Sequence, residues 1–465
     1  MYAKVDADTL KQLERIVGQA HLVTDRDGME PYTHDETPGL AAWPEVVVKV
    51  GSTDEVAAVL RLANELNIPV TPRAGGQGLS GGAVPVVGGI VLSVERMNHI
   101  LEIDHENLMV TVEPGVITGE LHRAVEAEGL FYPPDPASLD SCCLGGNVAE
   151  GAGGPRAVKY GTTEDYVCGL EVVLAMGEIV QLGGKLVKDV AGYNLKQLIV
   201  GSEGTLGVVT KIILRLLPLP KARIDLLVAY DDFQKAADTV SAIIAQCIIP
   251  TTIEFMERDT VKACERLMQK PVPYSDSTAQ LLIQLTGQRR DEVEADMDVV
   301  GEVCLEHGAL DVLVASDRAT SDRLWEARRL IIEALNHESP VNRTEDVCVP
   351  RAQIPTLLTG IHELSERLGI RALSFGHAGD GNVHVTFLKG DLSDQYWEAR
   401  LPAAQKDLYA LALSLGGTIT GEHGIGATRG WFLPQVVGEV PIELMRSIKR
   451  AFDPKGILNP GKILP

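Results

Sequence analysis

Residues 72–82 read PRAGGQGLSGG, five glycines in eleven positions, and the segment after this loop limits the topology more than the loop itself. Gly76, Gly78 and Gly81 satisfy the GxGxxG spacing. In a dinucleotide-binding βαβ unit such a loop opens a helix directly, with an acidic residue some 20 positions further on. Here it runs into AVPVVGGIVLSV, whose Pro85 and β-branched residues predict a turn and a strand. The Rossmann arrangement is thereby excluded. What remains is a run of glycines able to offer successive backbone N–H groups to a diphosphate.

The segments around the loop alternate strand, turn and helix. PEVVVKV (44–50), IPVTP (68–72), GIVLSV (89–94) and LMVTVEP (108–114) predict strands. Ser52 with Glu55 predicts a capping box, followed by a helix burying Val56, Val59, Leu60 and Ala63. Thr118 opens a second helix that Gly129 ends. PLPKAR (218–223) marks a boundary, beyond which longer helices alternate with strands such as DLLVAY and QLLIQLT up to about residue 420. The last 45 residues are short and turn-rich, and no internal repeat or low-complexity tract is present.

A chain of 465 residues suits two or three lobes. Its net charge of −22 repels nucleic-acid phosphates and anionic lipid, so neither is an expected partner. No apolar run reaches the roughly 18–20 residues that span a bilayer, so no membrane insertion is expected. The start, MYAKVDADTLKQLERIVG, predicts an amphipathic helix rather than a signal peptide, and a cytoplasmic location is the default expectation. Seven cysteines, none in a CxxC pair, argue against a disulfide framework, a cysteine-held zinc or an iron–sulfur cluster; the vicinal Cys142 and Cys143 are expected to be buried structural thiols.

ALSFGHAGDGNVHVTFL (372–388) carries the sharpest chemical signal. Asp380–Gly381 is a favoured two-residue hairpin turn. Pairing about it sets His377 opposite His384, both on one face, with Cβ atoms about 4.5–5.5 Å apart and able to share a metal ion.

Three further segments complete a pattern: YPPDPASLDSCCLGGNVAEGAGGPRAVKYGTTEDYV (132–167), VGSEGTLGVVTKI (200–212) and the terminal NPGK (459–462). With the glycine loop they resemble the FAD-binding domain of the vanillyl-alcohol oxidase superfamily. The branch they resemble holds glycolate oxidase catalytic subunits, D-lactate dehydrogenases and D-2-hydroxyglutarate dehydrogenases. The resemblance covers essentially the whole chain. It implies an α+β protein: a two-part FAD-binding domain of the vanillyl-alcohol oxidase type (PCMH-type), an inserted α/β substrate (cap) domain, and a C-terminal segment returning to the flavin. The corresponding boundaries are 1–218, 219–420 and 421–465.

The resemblance sets Pro72, Arg73, Ala74, Gly75, Gly76, Gln77, Gly78, Leu79, Ser80 and Gly81 around the pyrophosphate. Pro134, Ser138, Gly145, Gly146, Asn147, Gly153 and Tyr160 would lie along the flavin, Glu203 and Val208 near the ribose and adenine, and Asn459 near the ring system. Covalent members carry a histidine in the glycine loop, where this chain has Gln77, so non-covalent FAD is expected.

In GEHGIG (421–426) the resemblance makes Glu422 the third metal ligand, beside His377 and His384, and His423 the catalytic base. Nitrogen and oxygen ligands of this kind suit Zn²⁺, and Mn²⁺ or Fe²⁺ are also compatible. A metal-bound hydroxyl loses its proton more readily while hydride leaves Cα for flavin N5. LWEARRLIIEAL (324–335) resembles the family's carboxylate-binding helix, with Arg328 as clamp for a small 2-hydroxy acid and Arg329 turned to solvent. Enzymes acting on 2-hydroxyglutarate carry a threonine four residues after this arginine and a lysine further on. Ile332 and Thr344 stand at those positions here, which favours D-lactate or glycolate.

The expected activity is therefore FAD-dependent oxidation of a small D-2-hydroxy acid. Two alternatives stay open: a D-2-hydroxyglutarate dehydrogenase, and a non-catalytic flavin-carrying subunit of an electron-transfer complex. A third, alkyl-dihydroxyacetone-phosphate synthesis, would call for a long apolar tunnel, for which the sequence holds no distinctive signal. Electrons would pass to a quinone, an iron–sulfur subunit or an electron-transferring flavoprotein, and such a partner could make the protein peripheral to the membrane. Association as a homodimer is also open.

Overall fold

A computed structural model describes residues 2–315 and 317–464, so Met1, at the start of the expected amphipathic helix, and Pro465 lie outside the described residues. The chain divides into two compact units. The first holds Met1–Gly153, Thr162–Pro218 and Glu422–Pro465, the second Gly154–Gly161 and Leu219–Gly421. Gly154–Gly161, expected within 1–218, thus clusters with the second unit.

The first unit contains two main sheets. In the smaller, Val46–Lys49, Ile90–Ser93 and Val70–Arg73 run parallel, and Leu22–Val23 joins antiparallel at the edge. Their near-continuous β-branched runs suit a sheet covered on both faces. The Thr53–Leu66 helix buries Val56, Val59, Leu60 and Ala63 against this sheet. Ser52 Oγ accepts from Glu55 N (3.2 Å), as a cap should. The return half of the expected capping box does not form, because Glu55 Oε2 takes Gly51 N (2.7 Å) instead. The glycine loop links Val70–Arg73 to Ile90–Ser93 without an intervening helix. The second sheet has five antiparallel strands, in the order Ile100–Asp104, Met109–Val112, Val208–Arg215, Val167–Val173 and Ile179–Gly183. The chain's end adds to the first sheet, where Leu458 bridges Val70 in parallel and Asn459 N donates to Val70 O (2.8 Å).

The second unit is one seven-stranded antiparallel sheet with helices. Its order is Asp311–Ala315, Ala222–Tyr230, Ala279–Gly287, Thr252–Glu257, Arg371–His377, Asn382–Leu388, Asn342–Cys348. On one face Leu227, Met256, Leu282, Leu373, Phe375 and Leu388 pack against Val261 and Cys264 of the Arg258–Met268 helix, Leu324 and Trp325 of Arg318–Arg329, and Ile331, Ala334 and Leu335 of Ile331–Glu338. Asp225, fully buried on the Ala222–Tyr230 strand, anchors the Arg318–Arg329 helix. It accepts from Ser321 Oγ, from Trp325 Nε1 (3.0 Å) and from Gln284 Nε2 (2.9 Å).

Two expectations are corrected here. The hairpin closes with a four-residue loop, not a two-residue turn: His377 pairs with Asn382 and Phe375 with His384. A two-residue turn of that kind needs positive φ at both central positions, but only Gly381 (φ 94°) adopts it, and Gly381 N turns back onto His377 O (3.1 Å). The Asp380 side chain instead accepts Asn382 N (3.1 Å). Likewise 324–335 is not one helix. It departs from helical geometry at Leu330 (φ −92°, ψ 4°), which separates Arg318–Arg329 from Ile331–Glu338. Ile332 is 44% exposed, whereas the Arg328 side chain is largely buried.

A candidate metal and carboxylate site, and a candidate flavin site

In the second unit, four ionisable side chains form a row across four adjacent strands. Glu254 is the cross-strand partner of His377, and Asp346 that of His384. The two histidines come from neighbouring strands and are related diagonally, their ring centroids 5.3 Å apart and edge-on. A register shift of two residues keeps the side-chain parity, so both imidazoles still share the helix-covered face. All four side chains are buried.

Each histidine has a carboxylate at its outer side. Glu254 Oε1 lies 2.7 Å from His377 Nδ1, and Asp346 Oδ1 lies 3.6 Å from His384 Nδ1. At His377 the hydrogen bond to Glu254 fixes the other ring nitrogen as a ligand, the pattern common at metal sites, whereas Asp346 approaches His384 beyond hydrogen-bond distance. Asp346 also accepts Asn382 Nδ2 (2.7 Å), Thr420 Oγ1 (2.8 Å) and Gly421 N (3.0 Å). The last two residues before Glu422 are thus tied to the carboxylate opposite His384.

Arg328 descends onto this row. Its Nε and one Nη contact Glu254 Oε2 at 2.7 and 2.6 Å, and its guanidinium sits 5.1 Å from the Phe375 ring centroid. Burial alone would raise the Glu254 carboxyl, but His377 and Arg328 outweigh it and hold it below the ordinary carboxylate range. Arg329 is exposed and donates to Asp322 O (3.1 Å). Thr344 shares a hydrogen bond with Thr386 (3.0 Å), so two neutral hydroxyls occupy that position. Tyr160 belongs to this unit, with the Lys159 ammonium 5.5 Å from its ring centroid.

The first unit gathers most of the expected flavin residues. Among the described residues, no protein acceptor takes the backbone N–H of Gly75, Gly76, Gln77, Gly78 or Leu79, which leaves a string of donors suited to a diphosphate. The Arg73 side chain is not among them: it is buried and donates to His34 O (2.8 Å) and Pro31 O (3.0 Å). Gly76 has φ 70°, and a methyl there would clash with the pinned Arg73 guanidinium. Ser141 Oγ donates to Gln77 Oε1 (3.0 Å), and Pro134 O contacts His122 Nε2 (2.9 Å). Ser138 O receives Ser141 N and Cys142 N, and all seven cysteines are free thiols. Gly145, Gly146 and Asn147 lie in the first turn of the Leu144–Glu150 helix, with Asn147 Nδ2 donating to Thr118 Oγ1 (2.7 Å).

The glycine loop, the 200–208 loop and the chain's end converge. Glu203 accepts Ile425 N (2.9 Å) and Gly426 N (2.7 Å), while Ser80 O accepts Ala427 N (2.9 Å). Asn459 Nδ2 donates to Gly82 O (2.9 Å) and Glu203 O (2.7 Å). Thus the Glu203 carboxylate and the Asn459 amide hold protein backbone. Val208 begins its strand buried opposite Val173. Glu422 lies against Gly153, and its Oε1 is 3.8 Å from His423 Nε2. Burial raises the Glu150 carboxyl well above the ordinary range, with the Glu203 charge adding to it, and burial raises Glu203 too. The sequence expectations had included neither Glu254, Asp346 nor Glu150 as functional residues.

The architecture is that of the two-domain PCMH and vanillyl-alcohol oxidase type. Solved structures of p-cresol methylhydroxylase (TM-score 0.81, 19% identity, 98% of this chain and 96% of that chain) and of a 4-ethylphenol oxidase from Gulosibacter chungangensis (TM-score 0.79, 21% identity, 99% and 97%) share it. Residues 44–183 match an FAD binding domain, and residues 219–463 match the C-terminal domain of FAD linked oxidases. The chain belongs to the FAD-linked oxidases and is an FAD-linked oxidoreductase. It is 43% identical to the glycolate oxidase subunit GlcD of Bacillus subtilis (99% of this chain, 97% of that protein). It is 40% identical to a D-lactate dehydrogenase of Anaerostipes hadrus (99% and 98%). Among the described residues, no helix is long and apolar enough to cross a membrane.

Proposed function

We propose that this chain oxidises a short D-2-hydroxy acid, D-lactate or glycolate, to the 2-oxo acid with non-covalent FAD and one divalent metal ion. The observation that carries the proposal is the buried row Glu254–His377–His384–Asp346 with Arg328 above it. His377, His384 and Glu422 would hold the metal, with Zn²⁺ suited to the donors and Mn²⁺ or Fe²⁺ compatible. When bound, the metal lowers the pKa of the substrate hydroxyl and the flavin accepts hydride from Cα.

The remaining work falls to the chain's own groups. Arg328 offers a guanidinium fork to the substrate carboxylate. His423 takes the hydroxyl proton at a ring nitrogen. Thr344 and Thr386 offer neutral hydroxyls rather than a cation for a second carboxylate, which suits a monocarboxylic acid. The Ile332 comparison, by contrast, carries little weight for the substrate, because that side chain is 44% exposed. With no histidine in 72–82, the flavin has no such covalent anchor there. Since no cysteine pair is spaced for an iron–sulfur cluster, the electrons pass to a separate acceptor: a quinone, an iron–sulfur subunit or an electron-transferring flavoprotein.

Anaerobic bleaching of the purified flavoprotein by a panel of 2-hydroxy acids, before and after chelation, tests the proposal. Reduction by D-lactate or glycolate is expected to vanish with chelator and return with metal. Unchanged reduction in a verified metal-free sample would remove the metal from the reaction. Faster reduction by D-2-hydroxyglutarate would overturn the substrate assignment.

A further inference from the structure

Glu254 has no solvent exposure, and burying a carboxylate costs several kcal/mol unless both oxygens are well paired. Its two oxygens are divided between two partners: Oε1 meets His377 Nδ1 at 2.7 Å, and Oε2 meets Arg328 Nε and Nη at 2.7 and 2.6 Å. On the proposed function, these partners serve different ends, one the metal and the other the substrate carboxylate. We infer that Glu254 is a positioning residue that couples the carboxylate clamp to the metal ligand.

The argument is one of donors and faces. A Nδ1–H given to Glu254 presents the imidazole lone pair at Nε2 and raises its basicity as a ligand. The same carboxylate occupies the Nε edge of the guanidinium, and Phe375 covers one of its faces. Arg328 is thereby left with its outer Nη edge as the fork for a second carboxylate. Phe375 is also the cross-strand partner of His384, with ring centroids 5.0 Å apart, so one aromatic ring supports both groups.

The test uses the full FAD-loaded chain as wild type, Glu254→Gln, Glu254→Asp, Arg328→Met and the double variant Glu254→Leu/Arg328→Met. Free Mn²⁺, followed by its electron paramagnetic resonance signal, gives the metal Kd, and KM and kcat for D-lactate are measured separately. Glu254→Gln is expected to raise the Mn²⁺ Kd about 10–100-fold. At saturating Mn²⁺ its kcat is expected to recover while KM stays raised, since a misaligned Arg328 costs substrate binding. Glu254→Asp should restore part of both effects. The double variant leaves no unpaired buried charge, so it covers the case in which Glu254→Gln fails to fold. It should bind Mn²⁺ more weakly than Arg328→Met alone, and equal affinity in these two would overturn the inference. Wild-type Mn²⁺ affinity and KM in a folded Glu254→Gln would overturn it as well, leaving the proposed function intact. A wild-type chain that binds no Mn²⁺, or whose flavin no 2-hydroxy acid reduces, would overturn both.

Discussion

Glu254 and His377 stand directly opposite each other on adjacent antiparallel strands, with Oε1 2.7 Å from Nδ1 and both side chains buried. Asp346 is likewise the cross-strand partner of His384, but at a longer 3.6 Å from Oδ1 to Nδ1. His377 is therefore oriented from its outer side by Glu254, and the two rings meet between the carboxylates.

Removing one of these rings should remove the metal. His384→Ala is expected to weaken Zn²⁺ or Mn²⁺ binding by at least the roughly 10–100-fold typical of losing an outer-shell partner. FAD content should remain at wild-type level, because the hairpin belongs to the second unit and the matched FAD binding domain lies in residues 44–183. Metal titration with flavin absorbance as a control checks this, and undiminished metal affinity would refute it.

Arg328→Lys keeps the charge but loses the fork, the stacking on Phe375 and part of the pairing with Glu254. A lost hydrogen bond to a charged group is worth about 1.5–3 kcal/mol. The KM for D-lactate is therefore expected to rise roughly 10–100-fold, with a smaller change in kcat. Steady-state kinetics with a saturating electron acceptor decide the point.

Glu150 yields a prediction with a definite sign. Burial, reinforced by the Glu203 charge, raises its folded-state pKa above the ordinary 4.5, so the folded chain binds this proton more tightly than the unfolded one. Its contribution is fully present below the unfolded pKa and is lost as pH rises toward the folded value. Glu150→Gln keeps the acceptor for Ser80 Oγ but removes the charge. The variant's Tm relative to wild type should climb between pH 5 and pH 8, while a difference that is flat with pH would contradict the assignment.

Gly76→Ala adds a methyl where φ is 70° and where Arg73, pinned by two carbonyls, leaves no room. Left-handed backbone costs a non-glycine residue about 1–2 kcal/mol before any clash. The variant is expected to purify with less FAD and a lower Tm, as absorbance and thermal unfolding would show.

How much of this was legible in the sequence can be seen in particular residues. The turn and strand after the glycine loop were readable because Pro85 and the β-branched run GIVLSV leave few local alternatives. That His377 and His384 share one face was readable too, since faces alternate with period two. The register itself was not. A loop of four residues and a turn of two differ by local hydrogen bonds, here Gly381 N to His377 O and Asn382 N to Asp380 Oδ1, that the motif Asp-Gly does not specify. The break at Leu330 was illegible for a similar reason, because nothing in ARRLIIEAL is a helix breaker.

Glu254 and Asp346 were out of reach of any local pattern. They lie 123 and 38 positions from the histidines they face, and only the order of strands in the sheet brings them there. The amino-acid sequence by itself determined which short segments carry glycines, histidines and carboxylates, and which faces those residues share, because backbone sterics and side-chain periodicity act over a few residues. Tertiary structure alone decided which carboxylate faces which histidine and what holds Arg328, because strand order and the pairing of buried charges are settled by packing across the whole unit.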